Sequence, residues 1–189
     1  MIKIGILGDI GSGKSFAAKA FGYPVFNADE EVSKLYQKDR KVYLKLKRKL
    51  PKHISTFPIK KKEISKAIIS NKINLKKIIK IVHIEIRKKM KIFINQNKNK
   101  KIVILDIPLL LENKINQKKD ILIFVDSKKS QILKRLKKRK NFNKKLINKF
   151  KKIQLPIEFK KRMAHFIIRN NFSNKFLKKD INRILETIL

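Results

Sequence analysis

No cysteine occurs in this chain, which excludes a disulfide framework and a thiolate metal site. Long apolar runs are missing too. Stretches such as "ILIFV", Ile121–Val125, are far too short to span a bilayer. The N-terminal "MIKIGILGDI" is broken by glycine, is too short for a signal peptide, and is needed as a strand. These absences predict a soluble, cytoplasmic protein with no membrane partner. Acidic residues are scarce: 14 against 51 lysines and arginines, a formal net charge of +37. Such a charge points first to nucleic acid. Yet the lysines are scattered along the whole chain, and aromatic residues do not interleave with them as a base-stacking platform would. Lys, Asn, Ile and Phe, all products of A/T-rich codons, crowd the sequence together. The charge therefore reads as compositional bias, and nucleic acid is not expected as the specific partner. It should still attract polyanionic substrates, and salt should screen that attraction.

What is present suffices for one compact domain: 189 residues, 42% of them hydrophobic. "IKIGIL" (Ile2–Leu7), "IVILDIP" (Ile102–Pro108) and "DILIFVDS" (Asp120–Ser127) read as buried strands, with shorter strands expected at Tyr23–Phe26 and His165–Asn171. Helical patterns fill Glu30–Leu50, broken by Pro51, and residues 60–97 beyond the turn marked by Pro58. In the latter, Ile78, Ile79, Val82 and Ile86 recur at three-to-four spacing. A very basic helical stretch follows from Lys128 to Met163, interrupted by Pro156, and the last helix carries the stripe Leu177, Ile181, Ile184 and Ile188. Ser127 or Asp126 is expected to cap the helix after the third buried strand, and Ser173 the last helix. Strands alternating with helices predict an α/β fold with a parallel sheet.

The motif that carries chemistry is "GDIGSGKS", Gly8–Ser15, which fits the P-loop pattern G-x-x-x-x-G-K-[ST] between a strand and a helix. Glycines let the backbone curl with its N–H groups inward toward phosphate oxygens, and the following helix adds the positive end of its dipole. Gly8, Gly11, Ser12, Gly13, Lys14, Ser15 and Phe16 are thus expected to bind ATP. Lys14 would reach the β- and γ-phosphates, and Ser15 would hold Mg²⁺. The alternative is a glycine turn that merely joins strand to helix.

Five stretches, the P-loop among them, resemble one family, the dephospho-coenzyme A kinases. They are "ILGDIGSGKS", "PVFNAD", "VHIEIRKKM", "LDIPLLLE" and "QLPIEFKKRMAHFIIRNN", which occur in the family's order and run nearly end to end. The resemblance implies transfer of the γ-phosphoryl group of ATP to the ribose 3′-hydroxyl of dephospho-coenzyme A, the last step of coenzyme A biosynthesis. It also implies a three-layer P-loop core (about 1–29, 100–127 and 165–189), a helical substrate-binding insertion (about 30–99) and a basic helical lid (about 128–164), all within one domain, 1–189.

Within that frame Asp29 follows the second strand, at the ligand edge of an open parallel sheet. The resemblance makes it the catalytic base and a substrate ligand, alongside Lys14 on the donor. The alternative is an N-cap for the next helix. Asp106 ends the next strand, where a P-loop enzyme keeps an acid for Mg²⁺; the alternative is a turn-starting aspartate. His83 and Arg87 lie four apart on one helix face, so Arg87 is placed on substrate phosphate, with His83 either beside it or structural. Arg139 resembles a lid arginine that swings onto ATP, against the alternative of a solvated basic face.

The chain departs from the family pattern at several positions. Asn27 stands where the family often has the first acid of a pair. Phe16 replaces a usual threonine, Ser33 an arginine, Ile84 the proline after His83, and His165 an aspartate. Three other readings stay open here: another small P-loop kinase acting on a nucleoside monophosphate, a basic nucleic-acid-binding ATPase, and a catalytically dead relative.

Overall fold

The computed structural model describes residues 1–138 and 142–189. Its elements run β1 (Ile2–Gly8), α1 (Lys14–Ala20), β2 (Val25–Asn27), α2 (Ala28–Lys38), α3 (Arg40–Lys49), α4 (Lys61–Ser70), α5 (Lys72–Gln96), β3 (Ile102–Asp106), β4 (Ile121–Asp126), α6 (Lys129–Lys137), α7 (Lys144–Lys151), α8 (Ile157–Arg162), β5 (Phe166–Arg169) and α9 (Asn174–Ile188). The five strands form one parallel sheet in the order β2-β3-β1-β4-β5. β3, fully buried along its length, is the apolar run that a parallel sheet covered on both faces demands.

Two compact units divide the chain: Met1–Asn27, Asn97–Phe142 and Ile153–Leu189 in the first, Ala28–Gln96 and Asn143–Lys152 in the second. Residues 128–164 therefore contribute α6 and α8 to the first unit and α7 to the second.

In the sheet unit, Ile4, Ile6, Ile102, Ile104, Ile123, Val125 and Ile168 share one buried cluster with Ala17, Ala18 and Phe21 of α1 and Leu177, Ile181 and Ile184 of α9. Period-two alternation along the strands selects these residues for one face. On the helices, the three-to-four spacing does the same. Ile188, the last residue of the expected α9 stripe, is only partly buried. The same unit also buries an ion pair. Lys160 Nζ lies 2.7 Å from Glu112 Oε1, with the two side chains 3% and 9% exposed. Gln154 Oε1 accepts from the same Nζ at 3.1 Å, and Glu112 Oε1 also accepts from the Leu155 N–H at 3.0 Å. A buried charge needs such partners. This network joins "LLLE" to "QLPIEFKK".

The helical unit is built on α5, which packs against α2, α3 and α4. Leu75, Ile78, Val82 and Ile86 are its buried face, while Ile79 is half-buried. The stretch Glu30–Leu50 is two helices rather than one, because Asp39 interrupts it: its Oδ1 accepts from the Val42 N–H at 2.9 Å and caps α3. Pro156 likewise opens α8 at the N-cap position instead of interrupting a helix. α7 packs on α4.

Glu63 fastens the start of α4. Its carboxylate accepts from the N–H and Oγ of Ser55, the N–H and Oγ1 of Thr56, and the Lys60 N–H. Desolvation raises its pKa, but the Ser55, Thr56 and Lys60 donors outweigh that and lower it to about 2. A carboxylate whose pKa falls on folding stabilises the fold above its unfolded value of 4.5, and that support is lost as pH falls from there toward 2. Glu63→Gln is expected to melt lower than the parent at pH 7, by about 1–3 kcal/mol for hydrogen bonds to a charged acceptor. The gap should close as the pH drops toward 2. A pH-independent gap in thermal melts would show that these bonds do not need the charge.

Candidate nucleotide-binding site

The strand–loop–helix at Ile2–Ala20 has the geometry of a phosphate cradle. Gly8, Gly11 and Gly13 adopt φ of +150°, +89° and +92°. Two of these glycines are forced by space as well as by φ. A Cβ on Gly8 would stand 2.6 Å from Ser12 Oγ and 2.8 Å from the Val125 carbonyl oxygen, and one on Gly13 would strike Asn170 Nδ2. Gly13 is also the left-handed N-cap residue of α1, so the helix dipole begins at the loop.

Lys14 Nζ folds back to donate to the carbonyls of Asp9, at 2.8 Å, and Gly8, at 3.2 Å. The ammonium is thus held against the backbone of the loop. Ser12 is 1% exposed, and its Oγ has no hydrogen-bond partner among the described residues. A buried hydroxyl without a partner is costly, and phosphate oxygens would satisfy it. Ser15 and Phe16 are exposed in the first turn of α1.

Four residues that the sequence reading did not single out for the site brace the loop. The Ser12 carbonyl accepts from Ser127 Oγ and from Asn170 Nδ2, each at 2.8 Å. Ser127 therefore does not cap α6, whose N-cap is Lys128 without a side-chain bond; it ties the end of β4 to the P-loop instead. Ser173 stands at the N-cap of α9, also without the expected side-chain bond. Beyond β5, Asn170 Oδ1 accepts from the Phe172 N–H at 2.9 Å, turning the chain so that Phe172 sits at φ +66°. That conformation is strained for a bulky residue, and such strain gathers at functional sites. The Phe172 ring lies under the Arg135 guanidinium, 4.0 Å from centroid to Cζ, and both lie against the Gly13 position. The clue in the sequence was the doublet "NN" after "HFIIR", at the end of an expected strand.

Asp106 and Asn27 are register partners at the ends of β3 and β2. Asn27 Nδ2 donates to Asp106 Oδ2 at 2.9 Å, and Asp106 is 3% exposed. Asp106 is thus held by a cross-strand bond at the carboxyl edge of the sheet.

In the helical unit, β2 having stopped at Asn27, Asp29 is exposed in the first turn of α2, with Glu30 and Glu31. It lies inside the helix, not at the N-cap position. α2 packs on α5, and Lys89 Nζ reaches Glu31 Oε2 at 3.5 Å. His83, half-buried, and Arg87, exposed, sit on α5 one turn apart. Ile84 continues α5 as an exposed residue. Arg139 lies outside the described residues. His165 works as a backbone partner: its Nδ1 accepts from the Leu122 N–H at 2.9 Å while its own N–H donates to the Leu122 carbonyl at 2.8 Å. A ring nitrogen thus does the accepting that a carboxylate can do.

The family model for dephospho-CoA kinase matches residues 2–175. A dephospho-CoA kinase from Wolbachia sp. subsp. Brugia malayi is 33% identical, with 98% of this chain and 97% of that protein covered. One from Rickettsia bellii is 32% identical over 100% and 98%. Among solved structures, a Thermus thermophilus protein superposes with a TM-score of 0.77 at 24% identity, covering 100% of this chain and 98% of that one. Dephospho-CoA kinase from Campylobacter jejuni gives 0.64 at 21% identity over 98% and 96%. These two likenesses speak for the P-loop kinase fold, and the sequence matches decide the rest: the chain belongs to the dephospho-CoA kinase family.

Proposed function

We infer that this chain carries out its family's reaction, with Lys14 serving the donor and Asp29 the acceptor. ATP gives its γ-phosphoryl group to the ribose 3′-hydroxyl of dephospho-coenzyme A, leaving ADP and coenzyme A. The observation that carries the donor half is the preformed loop: three glycines at positive φ, the Lys14 ammonium on the Gly8 and Asp9 carbonyls, and a buried Ser12 hydroxyl without a partner among the described residues.

Phosphoryl transfer needs positioning and charge stabilisation more than covalent chemistry. The loop N–H groups, Ser12 Oγ and Lys14 would bind the phosphates, Lys14 exchanging its carbonyl partners for phosphate oxygens. Arg135 and Phe172 offer a flat cationic and aromatic surface beside the loop, suited to a nucleobase. On the acceptor side, Arg87 would bind substrate phosphate and Asp29 would take the proton of the 3′-hydroxyl as the new P–O bond forms. Exposure in the first turn of α2 leaves the Asp29 carboxylate open to an approaching hydroxyl.

Ser15 and Asp106 are the residues that would hold Mg²⁺. They offer only oxygen donors, and among the described residues no group of three His, Cys, Asp or Glu gathers as a metal cluster. Few protein oxygens, completed by phosphate and water, is the usual Mg²⁺ arrangement, so the residues fit. The ion supplies charge neutralisation on the β- and γ-phosphates.

No described helix is long and apolar enough to cross a membrane, and both substrates are polyanions drawn to a chain of net charge +37. The deciding assay is ADP release, with dephospho-coenzyme A set beside AMP, CMP and dTMP. Turnover is expected with dephospho-coenzyme A alone. Turnover with a monophosphate and none with dephospho-coenzyme A would overturn the reading.

A further inference from the structure

We propose that Asn170 and Ser127 are positioning residues for the nucleotide loop: together they hold the Ser12 carbonyl so that the Gly13 N–H is aimed at the phosphates of ATP. The inference deepens the donor-site reading given above and rests on it.

The peptide between Ser12 and Gly13 is one that can turn over. A peptide flip rotates ψ of one residue and φ of the next in opposite senses, and glycine accepts φ of either sign. Gly13 sits at φ +92°, so reversing this peptide would meet little resistance from the backbone of residue 13. The outcome matters, because the C=O and N–H of a trans peptide point opposite ways. One orientation offers a phosphate the N–H donor that a P-loop uses. The other offers it a carbonyl oxygen, which repels it.

Two side chains decide between these orientations. Ser127 Oγ and Asn170 Nδ2 each donate to the Ser12 carbonyl at 2.8 Å, which occupies both lone pairs of that oxygen. The Gly13 N–H is then turned away from the two donors. Both donors arrive from strand ends: Ser127 directly follows β4, and Asn170 directly follows β5. Asn170 is 2% exposed and is itself pinned. Its backbone N–H donates to the Asp126 carbonyl at 2.7 Å, and its Oδ1 accepts from the Phe172 N–H at 2.9 Å. The amide therefore cannot swing away, and the sheet, rather than the loop, sets the orientation of the peptide. A Cβ at position 13 would strike Asn170 Nδ2. Bringing the amide to the carbonyl thus requires the same glycine whose freedom the amide removes.

Ser12–Gly13 is the only Ser-Gly pair in the chain. Protein made by cell-free synthesis with carbonyl-labelled serine and nitrogen-labelled glycine therefore gives one carbonyl-filtered amide signal in NMR, that of Gly13. A non-hydrolysable ATP analogue is titrated to saturation. The parent signal is expected to move downfield, as an N–H does when it donates to an anion. Ser127→Ala and Asn170→Ala should each shrink that move and bind the analogue about two- to tenfold less tightly, the scale of one hydrogen bond. Ser127→Thr keeps the hydroxyl and should keep both the move and the affinity, which a loss of packing alone would not predict. A folded Ser127→Ala protein with the parent's move and affinity would overturn the proposal, and it decides alone should Asn170→Ala not fold. A Ser127→Thr protein as impaired as Ser127→Ala would overturn it as well. A parent signal unmoved at saturation would sink the donor-loop reading together with the proposal. No acceptor is present, so failure to phosphorylate dephospho-coenzyme A would count against the proposed reaction alone.

Discussion

Asp29→Asn is expected to melt near the parent, bind ATP normally and lose kcat by about 10²–10⁴-fold, the usual cost of removing a general base. Four observations make the substitution a clean separation of roles. The residue is exposed in the first turn of α2, so nothing in a core is disturbed. It is not at the N-cap, and asparagine is tolerated near a helix start as well as aspartate is. The lost charge at the helix N-terminus costs only about 0.3–1 kcal/mol, with Glu30 and Glu31 remaining in the same turn. The donor loop lies elsewhere in the sequence and keeps its own bonds. Steady-state kinetics beside a thermal melt and an ATP-binding titration decide the matter. Parent-like turnover would remove Asp29 from the chemistry. A fall in melting temperature with a proportional fall in activity would make the residue a structural one.

Lys14→Ala should cost at least about 10²–10³-fold in kcat, the scale for deleting one preorganised charge stabiliser in a water-excluded site. Its effect on ATP affinity should be large too, because the same ammonium meets the β- and γ-phosphates of the bound nucleotide. The fold should survive. Lys14 is only half-buried, the helix it opens is anchored by Ala17 and Ala18, and those residues belong to the buried cluster with β1 and α9. Alanine is also the best helix former for that position. The bonds to the Gly8 and Asp9 carbonyls would be lost, but those carbonyls lie in a partly solvated loop, so a shift of no more than about 1 kcal/mol is expected. A folded Lys14→Ala protein with near-parent activity would show that this loop is not the donor site.

Much of this was legible in the sequence because it is local. The P-loop motif fixes glycine positions, a lysine and a hydroxyl within eight consecutive residues, and backbone sterics then leave few shapes. The apolar runs at β1, β3 and β4 announced a buried parallel sheet, since strands covered on both faces lose the polar alternation. Spacing on α5 and α9 marked the core faces in the same way.

What the sequence missed depends on residues far apart. Ser127 looked like a cap, and local chemistry allowed it; only the approach of β4 to the loop turned its hydroxyl to the Ser12 carbonyl, 115 positions away. Asn170 reaches that carbonyl from 158 positions away. The Glu112–Lys160 pair was hidden for the same reason: in a chain so rich in lysine, no pattern distinguishes a buried lysine such as Lys160 from those that are solvated. The sequence by itself determined the α/β class, the nucleotide loop and the family, because periodicity and motif spacing act within a few residues. Only the tertiary structure decided that Asn27 would face Asp106 across two strand ends, that His165 would serve as a ring-nitrogen acceptor for β4, and that Arg135 would lie over Phe172 beside the loop. Those pairings follow from strand order and register, which set neighbours that no local pattern encodes.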